Sequence, residues 1–432
     1  MEGHARPRRR ALLVTATTLA LAVAPLTACG SDGTKESGKL SVWVYQDGST
    51  RIQKEAVDRF NKTSDVKVVL NEIPADGYQD KVRTGMGSSN APDVFFNWGG
   101  GSIRDYVNSG KLLDLTPTMD ADPSLKSAFL PSILDAGKID GKYYGVPMRG
   151  TQPVILFYNK ELFAQNNVEP PKTWEDMLKL VQLFSSKGVT PFALAGANSW
   201  TELMWVEYLL DRFGGVEVFD KIANGDSAAW GDDAMLKTAQ AIKQLVDKGA
   251  FGKKFGSVSY TAGGASTLFA KGKTAMHLMG SWEYATQLTD NPDFAKNKLG
   301  WATFPTVPGG KGDASAVVGN PTNYWSINAN TKQKDAAIAF VKTAMSEEYI
   351  KALVDNGDVP TTTNTADLLS SSPNPEFAKA EFEMVQKASS FTLSWDQNLS
   401  ASVATPMLTE IQKLFNGQIT PEKFVESLKA LK

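Results

Sequence analysis

Between residues 39 and 280, short β-rich runs alternate with stretches whose apolar residues recur at helical spacing. Lys39 to Tyr45 is such a run, closed by the polar Gln46-Asp47-Gly48-Ser49, and Ile52, Ala56, Val57 and Phe60 then lie on one helical face. Val66 to Ile73 returns to strand, Tyr78 to Met86 reads as helix and Asp93 to Asn97 as a buried strand. The pattern restarts after Pro147: Pro153 to Tyr158 is strand, and Trp174 to Ser186 and Trp200 to Phe213 are helices. Asp232 or Asp233 caps a helix carrying Leu236, Ala239, Ile242, Leu245 and Val246, and Thr274 to Met279 is again strand. Strands separated by helices imply βαβ units and a mostly parallel sheet. A restart within 432 residues, too many for one core, implies two such units. Asp335 to Asp355 and the chain from Glu376 onward are expected to be largely helical, with Pro360 to Pro375 a loop.

Ahead of this alternation, Arg6, Arg8, Arg9 and Arg10 precede an apolar run from Ala11 to Ala24 and then Leu26-Thr27-Ala28-Cys29. Basic start, short apolar middle and small residues before a cut site make a secretory leader over residues 1–28, too short to span a bilayer as a helix. Arg9-Arg10-Ala11-Leu12-Leu13 leaves both the general and the twin-arginine export routes open. Cys29, the only cysteine, stands where the lipobox of bacterial lipoproteins, which Leu26 to Cys29 resembles, carries its acylated residue. Residues 29–38 then read as a flexible tether, and the chain as anchored on the outer face of the cell membrane. Without residues 1–28, which hold four arginines and one glutamate, 41 bases face 46 acids, a net charge of −5. That balance gives no footprint for nucleic acid.

Enzymatic chemistry finds few residues to work with. Beyond the leader the one histidine is His277, inside the apolar run Met276-His277-Leu278-Met279, where a structural role is expected. There is no G-x-S-x-G elbow, Gly272-Lys273-Thr274 lacks the first glycine of a phosphate loop, and Gly99-Gly100-Gly101 lacks the spacing of a dinucleotide loop. With no cysteine beyond Cys29 and no calcium-loop spacing, neither metal nor cofactor is expected. A carboxylate-pair glycosidase stays open as a rival, since two acids need only meet in space.

Aromatic residues point to binding instead. Of ten tryptophans, Trp43, Trp301 and Trp325 sit in strand-like runs and Trp174, Trp205 and Trp230 in or beside helices, as packing residues do. Trp98, Trp200, Trp282 and Trp395 each follow a strand or open a helix, next to polar groups: Asn97, Asn198, Glu283, and Asp396 with Gln397. Ligands of open α/β sheets bind where such residues emerge. An indole face beside carboxylates and amides suits a sugar, whose C–H face packs on the ring while its hydroxyls take directed hydrogen bonds.

In order along the chain, Lys39 to Trp43, Pro92 to Trp98, Gly110-Lys111-Leu112, Gly141 to Pro147, Phe157 to Lys160, Pro171 to Asp176 and Met279 to Trp282 resemble the extracellular solute-binding proteins of ABC importers, the family that includes maltose-binding protein. The resemblance implies an α/β, two-lobed periplasmic-binding-protein-like fold of type II, each lobe a mostly parallel sheet flanked by helices and joined by hinge strands. Lobe one is then expected over 39–148 plus 320–356 and lobe two over 149–319 plus 357–432, hinging near Val146 to Pro153 and Val317 to Thr322. It implies a monomeric, non-enzymatic binding protein that hands a neutral di- or oligosaccharide to ABC permease subunits. Carried over by position, Gln46, Asp47, Asn97 and Trp98 serve from lobe one, Trp200, Trp282, Glu283, Trp395 and Asp396 from lobe two. Arg149, Thr151, Asn320 and Asn323 lie at the crossings. Departures from the maltose binder around Asn97, Arg149 and Trp200, with Asp47-Gly48-Ser49-Thr50-Arg51, resemble actinobacterial lipoproteins for short plant oligosaccharides. A xylo-oligosaccharide such as xylobiose is the expected ligand, ahead of cellobiose, chitobiose and maltose-type sugars.

Overall fold

The structure, a computed structural model, describes residues 38–75, 77–260 and 263–431. The leader and Cys29 lie outside them. Two sheets with separate apolar cores organise the chain. In the first, the parallel neighbours β1 (Lys39–Gln46), β2 (Lys67–Pro74) and β3 (Val94–Asn97) follow the βαβ pattern, with helix Thr50–Thr63 crossing from β1 to β2 and Tyr78–Met86 from β2 to β3. A small hairpin, β4 (Lys138–Ile139) and β5 (Lys142–Tyr143), precedes β6 (Val146–Pro147) at the sheet's edge.

The chain then enters the second sheet through β7 (Gln152–Asn159). β8 (Thr190–Ala193), β9 (Thr274–Gly280), β10 (Leu299–Ala302) and β11 (Val317–Asn320) complete most of it. β12 (Tyr324–Ile327) returns to the first sheet between β3 and β6, and β13 (Phe391–Leu393) returns to the second beside β11. The pairs β1–β2, β1–β3, β8–β9 and β11–β13 are parallel. Apart from the hairpin, every antiparallel pair involves β7 or β12, the strands that enter one sheet from the other. β13 interrupts a region expected to be largely helical; three residues carry too little periodicity to announce a strand.

Three segments run side by side where the chain passes between the sheets. The Met148 N–H donates to the Asn323 carbonyl (2.9 Å), Thr322 Oγ1 to the Arg149 carbonyl (2.8 Å) and the Thr151 N–H to the Val359 carbonyl (2.8 Å). The stretch 360–375, expected as a loop, first holds the first unit, the Leu130 N–H donating to the Thr361 carbonyl (2.9 Å), and then forms short helical turns at Thr365–Leu368 and Leu369–Ser371. Residues as far as Thr363 pair with the first unit, the Thr363 N–H donating to the Ala128 carbonyl (2.9 Å).

Local chemistry fixes the ends that matter. Thr173 and Asp176 form a capping box at the start of helix Trp174–Ser186. Tyr324 is buried among Gly99, Gly137 and Gly145, where an added Cβ would lie 3.0, 2.9 and 2.8 Å from its side chain, and its hydroxyl donates to the Ile133 carbonyl (2.7 Å). Among the described residues no helix is long and apolar enough to cross a membrane.

Candidate functional site

Two aromatic groups flank the crossing at residues 149–151. In the first unit, at the carboxyl ends of β1 and β3, the half-buried Trp98 meets Tyr45 at 5.6 Å, Tyr78 at 5.7 Å and Phe96 at 4.9 Å between centroids, each edge to face. Such contacts hold an indole in one plane. In the second unit, beyond β8 and β9, Trp200 opens helix Ser199–Gly214 and Trp282 opens helix Trp282–Asp290. Both are half-buried, 6.2 Å apart and inclined at 52°. Trp282 folds back over Gly280, where a Cβ would lie 2.0 Å from its ring.

The crossing ties the groups together. Arg149, only 2% exposed, donates to the Asp47 carboxylate, the Tyr45 carbonyl (3.4 Å) and Gln53 Oε1 (3.5 Å), and its guanidinium lies 5.1 Å from the Phe96 ring centroid. Burial works against its charge, but Asp47, Tyr349 and Asp358 together outweigh that and raise its pKa. Two residues on, Thr151 Oγ1 donates to Glu381 Oε1 (2.9 Å), and the Thr151 carbonyl accepts from Ser281 Oγ (3.1 Å), the residue before Trp282. Burial pushes Glu381 up to about 8 and Asp358, beside Asn356 and Arg149, up to about 6. Near neutrality Glu381 holds its proton, so the crossing carries less negative charge than its residues suggest.

The expected site residues separate into those that face this region and those that support it. Gln46 and Asp47 stand at the exposed end of β1, with Asp47 engaged by Arg149 and by the Ser49 N–H (2.9 Å). Asn97 is buried and spent internally, donating to Ser326 Oγ (2.8 Å) and accepting from the Gly99 N–H (2.9 Å); it shapes the turn that presents Trp98. Asn320 Oδ1 and Asn323 Nδ2, near the second crossing, are buried with no hydrogen-bond partner.

Glu283 is fully buried, accepting from Ser266 Oγ (2.8 Å) and Gln287 Nε2 (2.7 Å), so its carboxylate is spent on internal partners. Trp395 is turned inward as well. It is 1% exposed, stacked on Phe219 at 4.6 Å and edge-on to Trp230, a core residue whose helix-opening position mimics a site residue. Asp396 beside it is half-buried, its carboxyl raised by burial. His277 is fully buried against Phe269 and Glu283, out of reach of a solvent-borne substrate.

Sequence reasoning missed Tyr45, Tyr78 and Tyr260. Tyr45 and Tyr78 lie within runs read as strand and helix, but Tyr260 is an aromatic in the otherwise small and polar stretch Ser257 to Gly264, and that contrast was the available signal. Trp98, Trp200 and Trp282 offer half-buried apolar ring faces, and Gln46 and Asp47 offer polar groups at the exposed end of β1, a combination that suits a hydroxyl-bearing ring with a C–H face.

The chain is similar to known proteins over most of its length. A structure described under "Biochemical and structural insights into xylan utilization by the thermophilic bacterium Caldanaerobius polysaccharolyticus" is similar at a TM-score of 0.83, with 29% identity, covering 90% of this chain and 99% of that one. A chitin oligosaccharide binding protein is similar at 0.81 and 25%, covering 90% and 97%. The diacetylchitobiose binding protein DasA of Streptomyces coelicolor is 28% identical over 364 residues, 81% of each chain. A maltooligosaccharide ABC transporter solute-binding lipoprotein of Streptococcus pneumoniae is 29% identical over 371 residues, 82% of this chain and 80% of that one. The model of the bacterial extracellular solute-binding proteins matches residues 45–351, and the chain, with its two sheets joined by three side-by-side crossings, belongs to that family.

Proposed function

We propose that this solute-binding protein captures a neutral di- or oligosaccharide for an ABC importer, with xylobiose or a longer xylo-oligosaccharide as the preferred ligand. The observation that carries the reading is the pair of aromatic groups, Trp98 with its tyrosines and Trp200 with Trp282, on either side of the crossing that holds Arg149 and Thr151. The relatives' names support a sugar, and the xylan-utilization structure supports xylose units ahead of the chitin- and maltose-type sugars named for the others. Lobe one then comprises 39–148 with 320–356 and the stretch to 363, lobe two 149–319 with the chain beyond. Closure about the crossings covers the sugar and creates the surface that permease subunits read. A monomer anchored through Cys29 on the outer face of the membrane completes the proposal.

Calorimetric titration with xylobiose, cellobiose, chitobiose and maltose, followed by chromatography of the recovered sugar, tests it. Saturable binding of xylobiose, recovered intact, is the expected result. Tighter binding of another member moves the preference, cleaved sugar establishes the glycosidase rival, and no binding by any member refutes the sugar reading.

A further inference from the structure

We infer that Tyr260 is a positioning residue for the second unit's indole pair, anchored from behind by Glu283, and that it sets the planes on which the sugar stacks. The inference rests on the sugar reading for its ligand but not for its geometry.

Tyr260 sits between the two tryptophans and the buried acid. Its ring meets Trp200 edge to face at 5.2 Å and 74°. Its hydroxyl turns inward, donating to Glu283 Oε2 (3.4 Å) and lying 3.5 Å from Thr286 Oγ1, both on the helix that Trp282 opens. One side chain thus bridges the two helix starts that carry Trp200 and Trp282. Glu283 is in turn fixed by Ser266 Oγ (2.8 Å) and Gln287 Nε2 (2.7 Å), with His277 Nδ1 at 3.5 Å.

The backbone makes the brace stiff. The Tyr260 N–H donates to Asn198 Oδ1 (2.9 Å), the Ala197 N–H to the Val258 carbonyl (3.0 Å) and the Gly196 N–H to the Phe255 carbonyl (3.1 Å). Residues 255–260 are therefore fastened to 196–198, the turn that leads into Trp200. Gly196 permits this approach, since a Cβ there would lie 2.7 Å from the Phe255 ring. A stacking face held in place before the ligand arrives does not lose its rotamer freedom on binding, and that loss is a principal cost of recognition. A merely buried tyrosine would fill volume; this one connects two ligand-facing planes, its ring against Trp200 and its hydroxyl on the helix that begins at Trp282.

Tyr260→Ala and Tyr260→Phe are compared with the wild type in melting temperature, in affinity for the best-bound sugar of the panel, and in the far-ultraviolet circular dichroism couplet of the indole pair. That couplet is defined as the signal removed by Trp200→Phe. Tyr260→Ala is expected to stay folded, to lose the couplet and to bind sugar about thirtyfold more weakly. Tyr260→Phe keeps the ring contact and loses the hydroxyl's ties to Glu283 and Thr286, so the couplet persists and affinity falls about three- to fivefold. An unchanged couplet in Tyr260→Ala, or an affinity within about threefold of wild type, overturns the inference. Where Tyr260→Ala does not fold, Tyr260→Phe decides, and unchanged affinity overturns it. The couplet is read without sugar, so a wild type that binds none of the panel refutes the proposed function while the brace is still judged on its own.

Discussion

Replacing Glu202 with glutamine should stabilise this protein above pH 5 and leave it unchanged in acid. Glu202 lies within the first turn of the helix that Trp200 opens, is fully buried, and neither carboxylate oxygen has a hydrogen-bond partner. Burial alone moves its pKa from the ordinary 4.5 up to about 8. A carboxyl whose folded pKa is raised binds its proton more tightly in the native state. Stability is therefore whole below the unfolded pKa and is lost, by about 1.4 kcal/mol per pH unit, as pH climbs through the interval to the folded pKa. By pH 7 the loss is about 3 kcal/mol, and above pH 8 it levels off at about 5 kcal/mol. Glutamine keeps the shape and carries no such slope. Glu207 and Glu381, also raised to about 8, and Asp358, raised to about 6, titrate in both proteins and cancel in the difference. Urea unfolding of wild type and Glu202→Gln at intervals from about pH 5 to about pH 8 measures that difference. A stability gap that stays constant over the range would refute the reasoning, because it would mean that Glu202 is already charged or already solvated in the folded state.

Four further outcomes follow from the geometry. Gly280→Ala places a Cβ 2.0 Å from the Trp282 ring, so the indole must leave its seat, and sugar affinity should fall at least about tenfold in calorimetry. Trp282→Ala should weaken binding about thirtyfold while costing little of the melting temperature. Trp395→Ala should do the reverse, losing about 3–5 kcal/mol in chemical denaturation with affinity unchanged, because its ring is spent on Phe219. Arg149→Met strands Asp47 and should cost about 3 kcal/mol, the low end for a buried pair because Asp47 keeps a 32% exposed side chain.

What the sequence disclosed depended on whether the signal was local. Helices such as Trp174–Ser186 and strands such as Lys39–Gln46 carry their own periodicity and caps, and their places could be read residue by residue. The β7 and β12 pairings could not, because an antiparallel partner more than a hundred residues away leaves no mark on a short apolar run. The candidate site divides along the same line. Trp98, Trp200 and Trp282 are recognisable as aromatics emerging after strands, and Trp395 shows the same local pattern. Only the position of Phe219 separates it from them. Glu283 reads as a ligand partner because it adjoins Trp282, yet adjacent helical residues point in different directions, and this one points into the core.

The place of β12 in the first sheet governs how this chain can be made. Tyr324–Ile327 lies between β3 and β6, so the sheet begun at residue 39 stays open until about three quarters of the polypeptide exists. Until then β3 presents a bare edge along Val94 to Phe96, a fully apolar template for pairing with another chain. A nascent chain of this design is therefore hazardous while incomplete. A gene cut anywhere before residue 328 should yield aggregate rather than a smaller working lobe, and splitting the protein into complementing halves would require the second half to arrive before the first has found itself a different neighbour.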